Sequence, residues 1–157
     1  MKINLDKDII HSEQMKLSEP FKEASPSTLT GVYWIYAKRK VGKYPEPTER
    51  SGKWCIYTNR KYVDEIWKRI KRATEGGYLG ASSKVATKIE SDEDNHREAH
   101  VICVYTYDWK DEKDVMKIRA ELRKLKIVRK IPYKADEDTM TGNYTNTTSL
   151  RISKYYE

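Results

Sequence analysis

The chain has 157 residues, with 31 Lys and Arg against 24 Asp and Glu for a formal charge of +7, and is 38% apolar. That length supports one core rather than two; no run approaches the roughly 20 apolar residues of a membrane helix, and the polar N-terminus lacks a secretory signal. The reading is a cytoplasmic protein with no membrane partner, whose charge favours anionic ones: a nucleotide, single-stranded RNA or an acidic protein.

Residues 1–30 are polar and hold Pro20 and Pro26, which predicts an N-terminal arm; a single domain is expected over 31–157. It opens with "GVYWIYA" (31–37), a strand with apolar groups on both faces. A basic, proline-containing loop follows, with Lys38, Arg39, Lys40 and Lys43, and then the strand "KWCIYT" (53–58). Asn59 is placed to cap a helix in which Val63, Ile66, Trp67 and Ile70 form one buried stripe. Gly76-Gly77 stops it.

"YLGASSKVATKI" (78–89) passes from loop into a third strand, "ESDEDNHRE" (90–98) reads as an acidic turn, and "AHVICVYT" (99–106) is a fourth strand. Asp111 or Asp114 can cap a second helix, with Val115, Ile118, Leu122 and Leu125 on its inner stripe. "IVRKIPY" (127–133) is a fifth strand, where Pro132 implies an edge or the close of pairing, and a last strand is expected around "SLRISKYY" (149–156). The order β, β, α, β, β, α, β, β predicts an α+β fold, a largely antiparallel sheet with its helices on one face.

Motifs of chemistry are sparse. "GASSK" (80–84) lacks the Gly-Lys-Ser/Thr of a phosphate loop and opens a strand, although Gly80, Ser82, Ser83 and Lys84 could form a small anion nest. His11, His96 and His100 are scattered, and with two cysteines they make no metal cluster of known spacing, so neither metal nor cofactor is expected. Cys55 and Cys103 sit in apolar runs and read as buried free thiols rather than a disulfide framework.

The ordered blocks "YVDEIWKRIKRATEGGYLGASSKVAT", "VICVYTYDWKDEKDVMKIRAELRKL" and "YKADEDTMTGNY" resemble the family named after basophilic-leukaemia-expressed protein, over roughly residues 31–152. The resemblance implies the fold of translation initiation factor 4E: a curved antiparallel sheet with two main helices on its convex side. That factor sandwiches a methylated guanine between two tryptophans and holds its phosphates with basic side chains.

On this reading Trp34 and Trp54 are candidate base platforms and Lys84, Lys134 and Lys154 candidate phosphate contacts, for a nucleotide or single-stranded RNA on a basic concave face. The alternative for the tryptophans is core packing between sheet and helices. Between Lys110 and Lys134 stand ten Lys or Arg and four Asp or Glu; this charge, around Arg119, Arg123 and Lys124, reads as a solvated helix surface or as a dock for an acidic protein.

The family resemblance also carries a phosphothreonine lyase association. Such an enzyme would need Lys84 or Lys134 as base and His100 as acid. A non-enzymatic function is the primary expectation, with this lyase and a protein-interaction module as the alternatives.

Overall fold

The computed structural model of the protein describes residues 25–92, 97–137 and 153–157. Its strands are β1 (Trp34–Lys38), β2 (Gly52–Thr58), β3 (Ser82–Ala86), β4 (Glu90–Asp92), β5 (Arg97–Thr106), β6 (Pro132–Ala135) and β7 (Ser153–Tyr156). Helix α1 (Arg60–Glu75) follows β2 and α2 (Glu112–Lys124) follows β5. The sheet runs β1-β3-β5-β2-β6-β7 with every pairing antiparallel, and β4 pairs with β5 beside this path.

Local chemistry sets both helices. The Asn59 side chain accepts the Tyr62 N–H at 3.1 Å to start α1, and Val63, Trp67 and Ile70 bury its inner stripe. After α1, Gly77 takes φ +83° and so allows the turn that a side chain would resist. Asp111 caps α2 by accepting the Asp114 N–H. Glu112 and Asp114 in its first turn and Arg123 and Lys124 in its last complement the helix dipole.

Both helices pack on one face of the sheet, where Ile35, Trp54, Ile56, Val85, Ile102, Val104 and Tyr133 meet Val63, Trp67, Ile70, Val115, Ile118 and Leu122. Residues 25–30 also reach this assembly: Ser27 bonds Asp64 through its N–H and hydroxyl, and Leu29 packs on the core. Residues 1–24 of the expected arm lie outside the described residues.

Three expectations need correction. The segment 90–98 is not simply an acidic turn: Glu90–Asp92 and Arg97–Ala99 pair as a hairpin. The strand expected over 127–133 begins only at Pro132. Ile127 and Ile131 are core residues of the preceding loop, and Pro132 is tolerated inside the sheet because it is the first residue of β6.

The third concerns Arg119, which is not a surface charge. It is fully buried, donating to the carbonyls of Ile127 at 2.8 Å, Arg129 at 2.7 Å and Glu157 at 3.0 Å. A guanidinium presents its donors in a fixed fork, so one side chain ties α2 to the following loop and the C-terminal residue.

Candidate functional site

Strand alternation sorts the candidate residues between two faces. In β1, Ile35 and Ala37 are buried toward the helices, so Trp34, Tyr36 and Lys38 project from the opposite face. In β2, Trp54 and Ile56 face the helices while Lys53, Cys55 and Tyr57 face away. The same rule puts Lys84 of β3, Tyr105 and Cys103 of β5 and Lys134 of β6 on that second face.

Sheet register assembles these side chains into rows. One row runs Tyr36, Lys84, Cys103, Cys55 across β1, β3, β5 and β2. The next runs Tyr105, Lys53, Lys134 across β5, β2 and β6.

Every lysine in the rows lies against a ring. Lys84 Nζ stands 3.8 Å from the Trp34 ring centroid and 5.7 Å from that of Tyr105. Lys53 Nζ is 5.9 Å from the same Tyr105 ring. Lys134 Nζ is 5.8 Å from the Tyr57 centroid and donates to the Tyr57 hydroxyl at 3.4 Å. Such contacts are worth about 0.5–2 kcal/mol each, more as water is excluded.

The lysines differ in what balances them. Lys53 is paired with Asp136 at 2.7 Å. Burial pushes its ammonium pKa down, but the Asp136 carboxylate and the nearby thiols outweigh burial and hold it above the ordinary lysine value. Among the described residues, neither Lys84 nor Lys134 has a carboxylate partner. Both therefore carry charge that no carboxylate balances among the described residues. Tyr105 is held neutral, its hydroxyl pKa raised chiefly by burial.

The remaining candidates lie elsewhere. Trp54 is fully buried on the helix side, edge-on to Tyr133 at 5.3 Å, with its indole N–H donating to the Val115 carbonyl at 3.1 Å. It cannot be a base platform, because strand alternation turns it away from Trp34. Lys154 Nζ stands 4.4 Å from the Trp109 centroid, in the turn after β5, rather than in either row.

His100 is also fully buried, its Nδ1 2.8 Å from the Ala86 carbonyl and its Nε2 without a partner. It alternates with Val101 and Cys103 and so projects toward the helices, which leaves it across the sheet from Lys84 and Lys134. The base and acid named for a lyase are therefore not assembled. Ser83 likewise turns inward, 2.8 Å from the Thr74 hydroxyl.

Sequence reasoning missed Tyr36, Tyr57, Tyr105 and Lys53. Their signal was the period of two within "WIYAK", "KWCIYT" and "VICVYT"; in these two-sided apolar strands it was masked until one face was known to meet helices. Arg39 belongs to the basic loop after β1. Its guanidinium donates to the carbonyls of Leu79 at 2.8 Å and Val41 at 3.1 Å, holding the β1 and α1 exits together.

A family model described as "Basophilic leukemia-expressed protein Bles03" matches residues 39–140, and the chain belongs to that family. Its structure is similar to schistosome eIF4E complexed with m7GpppA and 4E-BP, with a TM-score of 0.62 and 16% identity over 92% of this chain and 80% of that one. It is similar to Caenorhabditis elegans eIF4E-3 in complex with the 4E-binding protein Mextli and a cap analog, TM-score 0.58 and 15% identity over 83% and 76%. Ascaris suum eIF4E-3 with an m2,2,7G cap matches at TM-score 0.54 and 17% identity, over 78% and 72%. The fold is α+β and eIF4E-like, a curved antiparallel sheet with α1 and α2 on one side.

Proposed function

We propose that this Bles03-family chain binds a nucleotide or a short single-stranded RNA on the sheet face away from its helices. Trp34 is the platform for a base, and Lys84 and Lys134 contact phosphate. The observation that carries this reading is the Lys84 ammonium lying 3.8 Å from the Trp34 centroid with no carboxylate beside it among the described residues.

A nucleotide offers both parts of that pair what they need. Its base replaces the ammonium on the ring while its phosphate receives the ammonium, so the exchange leaves no stranded charge. The flexible lysine stem permits the move. Tyr36 and Tyr57 extend the aromatic surface beside it, as in grooves that track single strands through stacking and charge.

The solved structures of similar fold are complexes with m7GpppA, a cap analog and an m2,2,7G cap, which supports a nucleotide ligand. This chain reaches such a ligand differently from a two-tryptophan sandwich, since Trp54 is committed to the core. One ring and a lysine row favour stacking and charge over recognition of a methylated base.

The test is a titration with cap analogue, unmethylated nucleotide, fluorescently labelled single-stranded RNA and a phosphothreonine peptide, each at low and physiological salt. Saturable binding of the base-containing ligands, weakened in Trp34→Ala when followed by anisotropy of the labelled RNA, is the expected result. Binding untouched by Trp34→Ala, or absent for all base-containing ligands, overturns the proposal; binding of the phosphopeptide alone points to a phosphate site without a base platform.

A further inference from the structure

Beneath the lysines and rings, Cys55 and Cys103 are directly opposite each other on β2 and β5. Both project from the same face, and both are free and buried, 2% and 3% exposed. The Cys55 thiol donates to the carbonyl of Lys53 in its own strand, at 3.9 Å. Directly opposed residues of an antiparallel pair have Cα atoms about 4.5–5.5 Å apart, which lies within the roughly 4.4–6.8 Å that disulfides span.

We propose that Cys55 and Cys103 are a redox-modifiable pair that a hydroperoxide converts into a cross-strand disulfide under the lysine face. Burial selects the oxidant: a molecule near the size of water can reach these sulfurs, whereas a bulky disulfide such as oxidised glutathione cannot without opening the sheet. The inference does not depend on what the face binds.

The chemistry assigns the two sulfurs different parts. The adjacent Cys103 thiol and the Lys134 and Lys53 charges together hold the Cys55 thiol below the usual range against the opposing effect of burial. Cys103, beside Cys55 and buried, is pushed well above its usual value. Cys55 is thus the nucleophile and Cys103 the resolving thiol.

In the first step the Cys55 thiolate attacks one peroxide oxygen; the S–O bond forms, the O–O bond breaks, and the departing hydroxide takes a solvent proton to become water. In the second, the Cys103 sulfur attacks the Cys55 sulfur; the S–S bond forms, the S–O bond breaks, and the leaving hydroxide departs as water with the proton of Cys103. Two thiols lose two hydrogens and two electrons, and one peroxide becomes two waters. A dithiol reductant reverses the bond by exchange.

The test uses the full chain, natively folded and exposed to hydrogen peroxide, followed by peptide mapping and intact mass after quenching. The chain holds two cysteines, so the assignment is unambiguous, and oxygen added to its methionines is mapped separately. The expected product is a monomer in which the Cys55 and Cys103 peptides are linked with the loss of two hydrogens, and dithiothreitol restores both thiols.

Cys103→Ser should stop the reaction at a sulfenic acid on Cys55 that dimedone traps. Should that variant fail to fold, the wild-type product still decides. Thiols that survive peroxide, that gain oxygen without becoming linked, or that link separate chains overturn the proposal.

Discussion

Trp34 and Trp54 show how a single position of phase within a strand separates a surface residue from a core one. Trp34 stands on the lysine face and Trp54 is fully buried against α2. Trp34→Ala should leave stability nearly intact and weaken binding of labelled RNA by about 1–3 kcal/mol, the usual worth of one stacked base. Trp54→Ala should cost about 3–5 kcal/mol of folding stability in a urea titration, through the lost transfer energy and the cavity left behind. Arg119 is the other decisive residue: Arg119→Met strands the buried Ile127 carbonyl and removes the side-chain donor to those of Arg129 and Glu157, the last of which keeps the Ile131 N–H at 2.8 Å. At about 1–3 kcal/mol for an unsatisfied buried group, its urea midpoint should fall by the equivalent of about 1–3 kcal/mol, with an unchanged denaturant slope.

Between elements, the geometry of the lysine face is held where β5 ends. Gly80 lies where an added Cβ would collide with the backbone carbonyl of Tyr105, and backbone cannot swing aside as a side chain can. Gly80→Ala should destabilise the fold by about 1–3 kcal/mol, as overpacking does, and should also weaken RNA binding, because Tyr105 carries the ring shared by Lys84 and Lys53. Just past this same end of β5, Asp108 accepts two hydrogen bonds from Arg50, at 2.9 and 2.6 Å, tying the loop before β2 to the turn before α2. The Arg50 guanidinium holds the Asp108 pKa down from 3.8 to about 2, burial opposing it and the Lys110 N–H assisting. A carboxylate depressed on folding contributes stability above its unfolded value, and that contribution disappears as pH falls through the folded one. Thermal melts of wild type and Asp108→Asn should therefore differ at neutral pH and converge as pH drops from 3.8 toward about 2.

At the scale of the whole molecule, charge is plentiful and most of it is structural or solvated. Arg39 and Arg119 bind carbonyls, and Lys40 pairs with Glu75 at 3.1 Å. A net charge of +7 is thus a poor guide to the site; Lys84 and Lys134 on one sheet face are a better one. Each phosphate contact on a single strand contributes about 0.7 to the slope of log affinity against log salt. The double change of Lys84 and Lys134 to Ala should reduce the slope by about 1.4, read from RNA binding across a salt series. Lys154→Ala should change it less if the ligand stays within the rows, and by a comparable amount if it extends to Trp109.

The sequence by itself determined the local chemistry of this protein: the Asn59 and Asp111 caps, the apolar stripes of α1 and α2, the glycine stop at Gly76-Gly77, and hence the α+β order of elements. Each depends on contacts within a few residues or on a repeat that one helix makes visible. The blocks of residues that resemble the family carried the eIF4E-like fold, and Trp34, Lys84 and Lys134 were named from that fold together with the charge and the aromatic residues of the chain. Only the tertiary structure decided which face each strand residue occupies, because β1, β2 and β5 are apolar on both sides and a one-residue change of phase exchanges the faces. That is why Trp54 and His100 fell to the core side and Tyr57, Tyr105 and Lys53 to the other. Burial of Arg119 was equally illegible, since the carbonyls that satisfy it at residues 127, 129 and 157 converge only once α2, its following loop and β7 are packed together.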